Sequence, residues 1–296
     1  MGANEIEGML VEGVDAEVNF HEKIGFTLAS SGGYYHSLPM DTLRVFIDAT
    51  AEAHRALGFE NEKDHPEVAP SQFELNYKHS RVDIAADQIQ LYKLVARQVA
   101  EKLGMTASFL PKPIMGINGS GMHTNISIEK DGKNVFYKKS ADTNLSKLGY
   151  DFIDRILGKA SEISLVLNSS VNAYRRLDPN FEAPNQIKYS AVDRAAMIRI
   201  PLANEKSSRI EVRSVGPDAN PYMLYYTLLR TGLEATKPKV NKSIKRRTKT
   251  LPDNINDAIK VFKRSSFLEK IIGEETKEKF IELKQASADR CPKALG

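Results

Sequence analysis

Short segments of two-residue alternation, aliphatic on one face and charged on the other, sit between long helical stretches, and this pattern limits the possible folds more than any other feature of the chain. Successive side chains on a strand point to opposite faces, so alternation reveals which residues share a surface. Glu5 and Glu7 flank Ile6, and residues 73–76, 123–128, 197–200 and 209–213 alternate or nearly so. In residues 123–128, His123, Asn125 and Ser127 share one face and Thr124, Ile126 and Ile128 the other. In residues 209–213 three charges, Arg209, Glu211 and Arg213, share a face. Helical spacing and end signals predict helices over 41–57 (Asp41 as cap, Gly58 beyond), 82–103 (Gly104 beyond), 152–167, and from Asn220-Pro221 to a stop at Gly232, with a run of short helices from Leu251 past Phe280. Strands and helices mix without a regular β-α-β rhythm, which predicts an α+β fold with a largely antiparallel sheet instead of a doubly wound parallel one.

A chain of 296 residues with 41% apolar residues can bury a core without covalent staples. Its single cysteine, Cys291, excludes a disulfide framework and a thiolate metal site within one chain. No stretch reaches the ~18 apolar residues of a membrane span, and Met-Gly-Ala-Asn-Glu does not begin a signal peptide. Cytoplasmic residence is the expectation. The net charge of +4 gathers mainly in Lys237, Lys239, Lys242, Lys245, Arg246, Arg247 and Lys249, a run with no acid. No aromatic accompanies it for base stacking, so it reads as a solvated loop and not as a nucleic-acid tether. We expect one domain over 1–296, with a basic loop at 235–250 and a helical C-terminal portion at 251–296.

Any one of these strands alone is an ordinary surface strand, since exposed charges in ion-pair ladders contribute little. Their repetition points to a shared cleft. If the polar faces converge, Glu5, Glu7, Glu67, Glu74, Glu211 and His123 form an oxygen-rich donor set suited to Mg²⁺ or Mn²⁺, with enough ligands for two or more ions. Glu67 and Glu74 are seven apart and would face opposite ways on an unbroken strand, so a turn or bulge at Pro70-Ser71 is required. Arg176, Arg194, Arg199, Arg209 and Arg213 supply planar donors for phosphate and carboxylate. Acids with metal, surrounded by arginines, describe a phosphoryl-transfer site. Residues 116–121, Gly-Ile-Asn-Gly-Ser-Gly, lead into a strand; no Lys-Ser/Thr follows and no helix begins, so this is not a Walker A loop.

Several longer motifs resemble glutamine synthetase, in the order of that family. Residues 112–123 (Lys-Pro-Ile-Met-Gly-Ile-Asn-Gly-Ser-Gly-Met-His) followed by Ser127 are similar to its ATP-region signature. Residues 65–74 (His-Pro-Glu-Val-Ala-Pro-Ser-Gln-Phe-Glu) resemble its metal-holding segment, and 172–177 with 181–184 its substrate loop. Residues 194–201, 206–213 and 219–222 complete the series. The resemblance implies the glutamine synthetase/guanidino kinase-like catalytic domain: a curved, largely antiparallel sheet with helices packed outside. It implies ATP-dependent ligation of ammonia to the γ-carboxylate of glutamate through γ-glutamyl phosphate, giving glutamine, ADP and phosphate. By the same resemblance Glu7, Glu67 and Glu74 hold one metal and Glu5, His123 and Glu211 another. Asn118, Gly119, Arg176 and Arg213 bind glutamate. Glu62, Ser127, Arg194, Arg199, Lys206 and Arg209 meet ATP. Glu182 and Arg194 are the catalytic pair, with Glu182 on a flap over the intermediate. A homo-oligomer with sites shared between subunits is implied too.

The sequence departs from the family at Pro66 and Asn125, each in place of a histidine, at Asp193-Arg194-Ala195 for asparagine-arginine-serine, and at Tyr189 where tryptophan is common. The family's small N-terminal β-grasp domain has no counterpart in these residues. Two other functions are weighed beside the ammonia ligase: a γ-glutamyl ligase that uses an organic amine, and a non-catalytic relative.

Overall fold

The computed structural model describes residues 1–36, 41–139, 143–181, 183–238 and 248–290. Most of the basic loop, together with Glu182 and Cys291, lies outside these residues. In chain order the elements are β1 (Gly2–Glu12), α1 (Thr42–Ala56), β2 (Asn61–Pro66), β3 (Gln72–Tyr77), α2 (Val82–Lys102), β4 (Met105–Ser108), β5 (Met122–Ile126), β6 (Glu129–Lys130), β7 (Lys133–Asn134), α3 (Lys147–Leu167), α4 (Val171–Arg176), β8 (Gln186–Ser190), β9 (Ala196–Arg199), β10 (Ile210–Val212), α5 (Pro221–Glu234), α6 (Ile255–Arg264), α7 (Ser266–Ile272) and α8 (Glu274–Asp289).

Eight strands form one sheet in the order β2-β3-β1-β5-β10-β9-β8, with β4 also paired to β1. Every pairing is antiparallel except β8 with β9. The expected α+β class with a largely antiparallel sheet is what the chain adopts. Alternation sends Ile6, Leu75, Tyr77, Met122, Ile126, Ile210 and Val212 to a buried face. Helices α1 and α2 cover that face over β1–β4, α3 packs on β8 and α5, and α6 lies between α3 and α8. Tyr92 of α2 donates its hydroxyl to the Ile6 carbonyl at 3.1 Å, which fixes α2 to the middle of β1. Complete burial of a side chain such as Phe46 or Phe73 stabilises the fold by about 2 kcal/mol.

Local signals account for most element ends. Asp41 Oδ1 accepts from the Leu43 amide at 2.9 Å and caps α1. Asn220 Oδ1 accepts from Tyr222 and Met223 and caps α5, with Pro221 at its first position. Four expectations need correction. Helix α3 begins at Lys147, earlier than residue 152, because Ser146 caps it through the Gly149 amide at 3.2 Å. Strand β5 stops at Ile126, short of residue 128, because its partner β1 begins at Gly2, the residue paired with Ile126. Gly232 lies inside α5 and does not end it. A Cβ there would meet Phe152 Cε2 at 2.2 Å, so the glycine serves the close crossing of α3 and α5. Lys237, read as part of a solvated run, pairs with Asp151 of α3.

His54 sits on the core side of α1, fully buried, stacked on Tyr92 at 5.1 Å and bonded through Nδ1 to the Tyr77 hydroxyl at 2.5 Å. Burial lowers its pKa from 6.5 to about 4. Between those values the unfolded chain holds the extra proton, so this group's contribution is complete above pH 6.5 and is lost as the pH falls toward 4. His54 therefore lowers the melting temperature at pH 5 relative to pH 7. In His54→Gln that contribution is gone, so relative to the wild type the variant loses less stability between pH 7 and pH 5, although it is less stable at pH 7. Equal pH dependence in the two proteins would contradict the assignment.

Candidate functional site

The polar face of the sheet is assembled by strand register. Glu7 of β1 is paired with Glu74 of β3, and Glu74 with His65 of β2. Two residues along β1, Glu5 is paired with His123 of β5. Asn125 of β5 is paired with Glu211 of β10, and Glu211 with Arg199 of β9. Residues from six adjacent strands thus share one surface. Glu67 joins them through the turn between β2 and β3: Ser71 takes a positive φ of 63°, and the Glu67 amide donates to the Gln72 carbonyl at 2.8 Å. The turn required at Pro70-Ser71 is present and sets Glu67 beside Glu74.

Two groups on this surface bring donor atoms within 4.8 Å of one another: Glu5 with His123 and Glu211, and His65 with Glu67 and Glu74. In the first, His123 Nδ1 lies 3.3 Å from Glu5 and 3.5 Å from Glu211. In the second, the two ring nitrogens of His65 lie 3.7 Å from Glu67 and 3.8 Å from Glu74. Glu7 belongs to neither group. Its Oε2 accepts from the Gly121 amide at 2.7 Å and from Gln72 Nε2 at 3.3 Å, which ties it to the loop before β5. His65 escaped the sequence reading, although it lies two residues before Glu67 in a segment already singled out. Its register opposite Glu74 is not visible without the fold.

The two groups differ in electrostatics. Glu211 is buried but is met by Arg199 at 2.9 Å and Arg213 at 3.2 Å. Burial would raise the Glu5 pKa, but the hydrogen bond and charge of His123, with Asn125 and Arg209, outweigh it and hold the carboxyl at about 2. Burial works against a charged His123, yet Glu5, Glu7 and Glu211 raise its pKa. Glu67 and Glu74 are pushed upward, by burial first and then by neighbouring carboxylates: Glu7 for Glu67, and Glu7, Glu5 and Glu67 for Glu74. Carboxylates crowded this way repel one another unless a cation lies between them. Each group offers carboxylate oxygens and one imidazole, a donor set that fits Mg²⁺ or Mn²⁺.

Beside the groups lies a cavity of about 400 Å³, lined by Glu5, Glu62, Ser127, Lys206 and Arg209 among others. Four of the six residues expected at ATP (Glu62, Ser127, Lys206, Arg209) line it. Arg199 does not and is paired with Glu211, and Arg194 accepts at its carbonyl from Arg213 Nη1 at 2.8 Å. On the other side, Arg176 is 6% exposed and donates Nη2 to the Arg213 carbonyl at 3.1 Å, while its buried Nη1 has no protein partner among the described residues. Burial lowers its pKa to about 10. A Cβ at Gly121 would stand 2.4 Å from Arg176 Nη2, so only glycine lets this guanidinium approach the loop. Gly119 accepts at its carbonyl from Gln72 Nε2 at 3.1 Å, and the neighbouring Asn118 is half-buried. Glu182, expected on a flap, falls outside the described residues.

The family model for the glutamine synthetase catalytic domain matches residues 2–295. A glutamine synthetase from Methanosarcina mazei is 37% identical over 277 residues, which is 88% of this chain and 62% of the relative. One from Thermus thermophilus is 35% identical over 272 residues, covering 87% of this chain and 61% of the relative. The chain therefore spans about three-fifths of the length of the curated relatives it matches. Among solved structures, a Plasmodium falciparum glutamine synthetase superposes with a TM-score of 0.84 at 20% identity, over 100% of this chain and 73% of that one, which is a likeness of fold.

Removing one of the crowded charges tests the electrostatics. In metal-free solution at neutral pH, Glu74→Gln raises the melting temperature by about 2–4 °C, as expected for relief of roughly 1 kcal/mol of repulsion in a chain of this size. Millimolar Mn²⁺ stabilises the wild type and has a much smaller effect on the variant. A metal-free variant that melts below the wild type would refute the repulsion.

Proposed function

The chain belongs to the glutamine synthetase catalytic-domain family, and from that premise we propose that it joins ammonia to the γ-carboxylate of glutamate at the expense of ATP. The observation that carries the proposal is the two His-carboxylate groups flanked by a nucleotide-sized cavity on one side and a buried, partner-less Arg176 nitrogen on the other. Residues 1–296 act as one catalytic domain in this reading. The names of the relatives favour ammonia over an organic amine, and activity over a purely structural role.

The residues divide the work as follows. Glu62, Ser127, Lys206 and Arg209 receive ATP in the cavity. Arg176, with Arg213, Asn118 and Gly119, receives glutamate: the free Nη1 of Arg176 meets its carboxylate, for which a buried guanidinium is the suited donor. Glu5, His123 and Glu211 hold one divalent cation, and Glu67 and Glu74, with His65 and Glu7, hold another. Mg²⁺ or Mn²⁺ there would supply charge neutralisation at the phosphates. The glutamate γ-carboxylate oxygen attacks the terminal phosphorus, the bond to the β-phosphate oxygen breaks, and ADP leaves. Arg199, Arg194 and Arg209 offset the charge that gathers during transfer. Ammonia then attacks the acyl carbon of γ-glutamyl phosphate, phosphate leaves, and a proton is lost from nitrogen. Glu182 shields that intermediate from water and accepts the proton. ATP and glutamate place this work in the cytoplasm. Copies of the chain share sites in a homo-oligomer, an arrangement that sedimentation at micromolar concentration reads directly.

With ATP, glutamate, Mg²⁺ and hydroxylamine the protein yields γ-glutamyl hydroxamate. Arg209→Gln lowers kcat/KM by about 10²-fold, the typical cost of removing one charge-stabilising donor. If ATP binds but no glutamate concentration elicits ADP release, the ligase proposal is wrong.

A further inference from the structure

We propose that Asn125 is a positioning residue that ties the arginine of the nucleotide cavity to a carboxylate of the first His-carboxylate group, so that phosphate site and cation site are held as one unit. The inference rests on the functional reading above. Asn125 lies on the polar face of β5, paired in register with both Ala3 and Glu211, and is only 6% exposed. Its amide is used at both ends. Nδ2 donates to Glu5 Oε1 at 3.0 Å, and Oδ1 accepts from Arg209 Nε at 2.8 Å. The orientation of the amide follows from its partners, because an ionised carboxylate only accepts and a guanidinium only donates. Arg209 is held a second time by Nη1, which donates to the Ser207 carbonyl at 3.1 Å. The guanidinium is thereby fixed at two of its edges along the cavity wall.

The chemistry of the position is restrictive. Leucine, of similar size, offers neither bond and would leave both charged partners without this contact. Aspartate would keep an acceptor for Arg209 but would set a second carboxylate against Glu5. Asparagine supplies a donor and an acceptor at once without a charge of its own. Glu5 and Arg209 come from β1 and the end of the loop before β10, and no direct ion pair joins them among the described residues. Asn125 is the shared contact.

A pair of double-mutant cycles separates this role from a merely structural one, because a residue that acts through a partner has no further effect once the partner is gone. Binding of ATP with Mg²⁺, in the absence of glutamate, is measured calorimetrically for wild type, Asn125→Leu, Arg209→Gln and the double variant. Asn125→Leu weakens ATP by about tenfold in the wild-type background, the effect of losing a charge-assisted hydrogen bond, and by less than twofold in the Arg209→Gln background. The second cycle pairs Asn125→Leu with Glu5→Gln and reads Mn²⁺ alone, with the same pattern expected. Equal losses in both backgrounds, or no loss for Asn125→Leu, would overturn the inference. Where Asn125→Leu melts below the assay temperature, Asn125→Ala is carried through the same cycles under the same criteria. A wild-type protein that binds no ATP would instead remove the ligase reading, and this inference with it.

Discussion

Repulsion among carboxylates pressed onto one face of a sheet is the constraint on which the rest of this structure turns. Glu7 and Glu74 are direct partners in register, Glu67 is folded back beside them, and Glu5 stands two residues along the same strand. Such crowding is tolerated only where the surrounding structure is strong enough to enforce it and where positive charge is near. The enforcement comes from the other face. Ile6, Leu75, Met122, Ile126 and Val212 are buried there, and Tyr92 fastens α2 to β1 at Ile6, between the two glutamates. The same alternation that buries the aliphatics therefore sets the acids side by side.

The positive charge is unevenly spread. Around Glu211 the chain supplies its own cations, Arg199, Arg213 and His123, and Glu5 is held ionised by His123, Asn125 and Arg209. Around Glu67 and Glu74 the ion pair among the described residues comes from His65, which is one-third exposed, with His123 acting on Glu67 from farther off, and both carboxyls are driven upward in pKa. In the ligase reading the first group is organised before any ion arrives, whereas the second depends more on the ion. Glu7 links the two through the Gly121 amide and Gln72, so the loop that leads to His123 also senses the second group.

Much of this was legible in the chain, for a definite reason. Alternation with period two places His123 and Asn125, or Glu5 and Glu7, on one face whatever the sheet order, and caps such as Asp41 and Asn220 mark helix starts locally. What alternation cannot give is register. Whether Glu74 meets Glu7 or a neighbour two residues away depends on the turn at Ser71 and on the packing of Phe73 against Gly8, where a Cβ would come within 2.5 Å of the ring. For that reason the sequence alone marks neither His65 as a donor opposite Glu74 nor the tie of Glu7 to Gly121. Gly232 misled for a similar reason: a glycine chosen for a helix crossing looks, in sequence, like one chosen to end a helix. The motif resemblance assigned roles to residues in chain order, but it could not show that Arg199 lies against Glu211 and away from the cavity.

The most direct test of the central claim is anomalous diffraction at the manganese edge from crystals grown with Mn²⁺. Crowded carboxylates that need divalent ions predict two strong peaks, one in contact with Glu5, His123 and Glu211 and one with Glu67 and Glu74. An anomalous map without a peak at either group, at a Mn²⁺ concentration that saturates binding in solution, would contradict it.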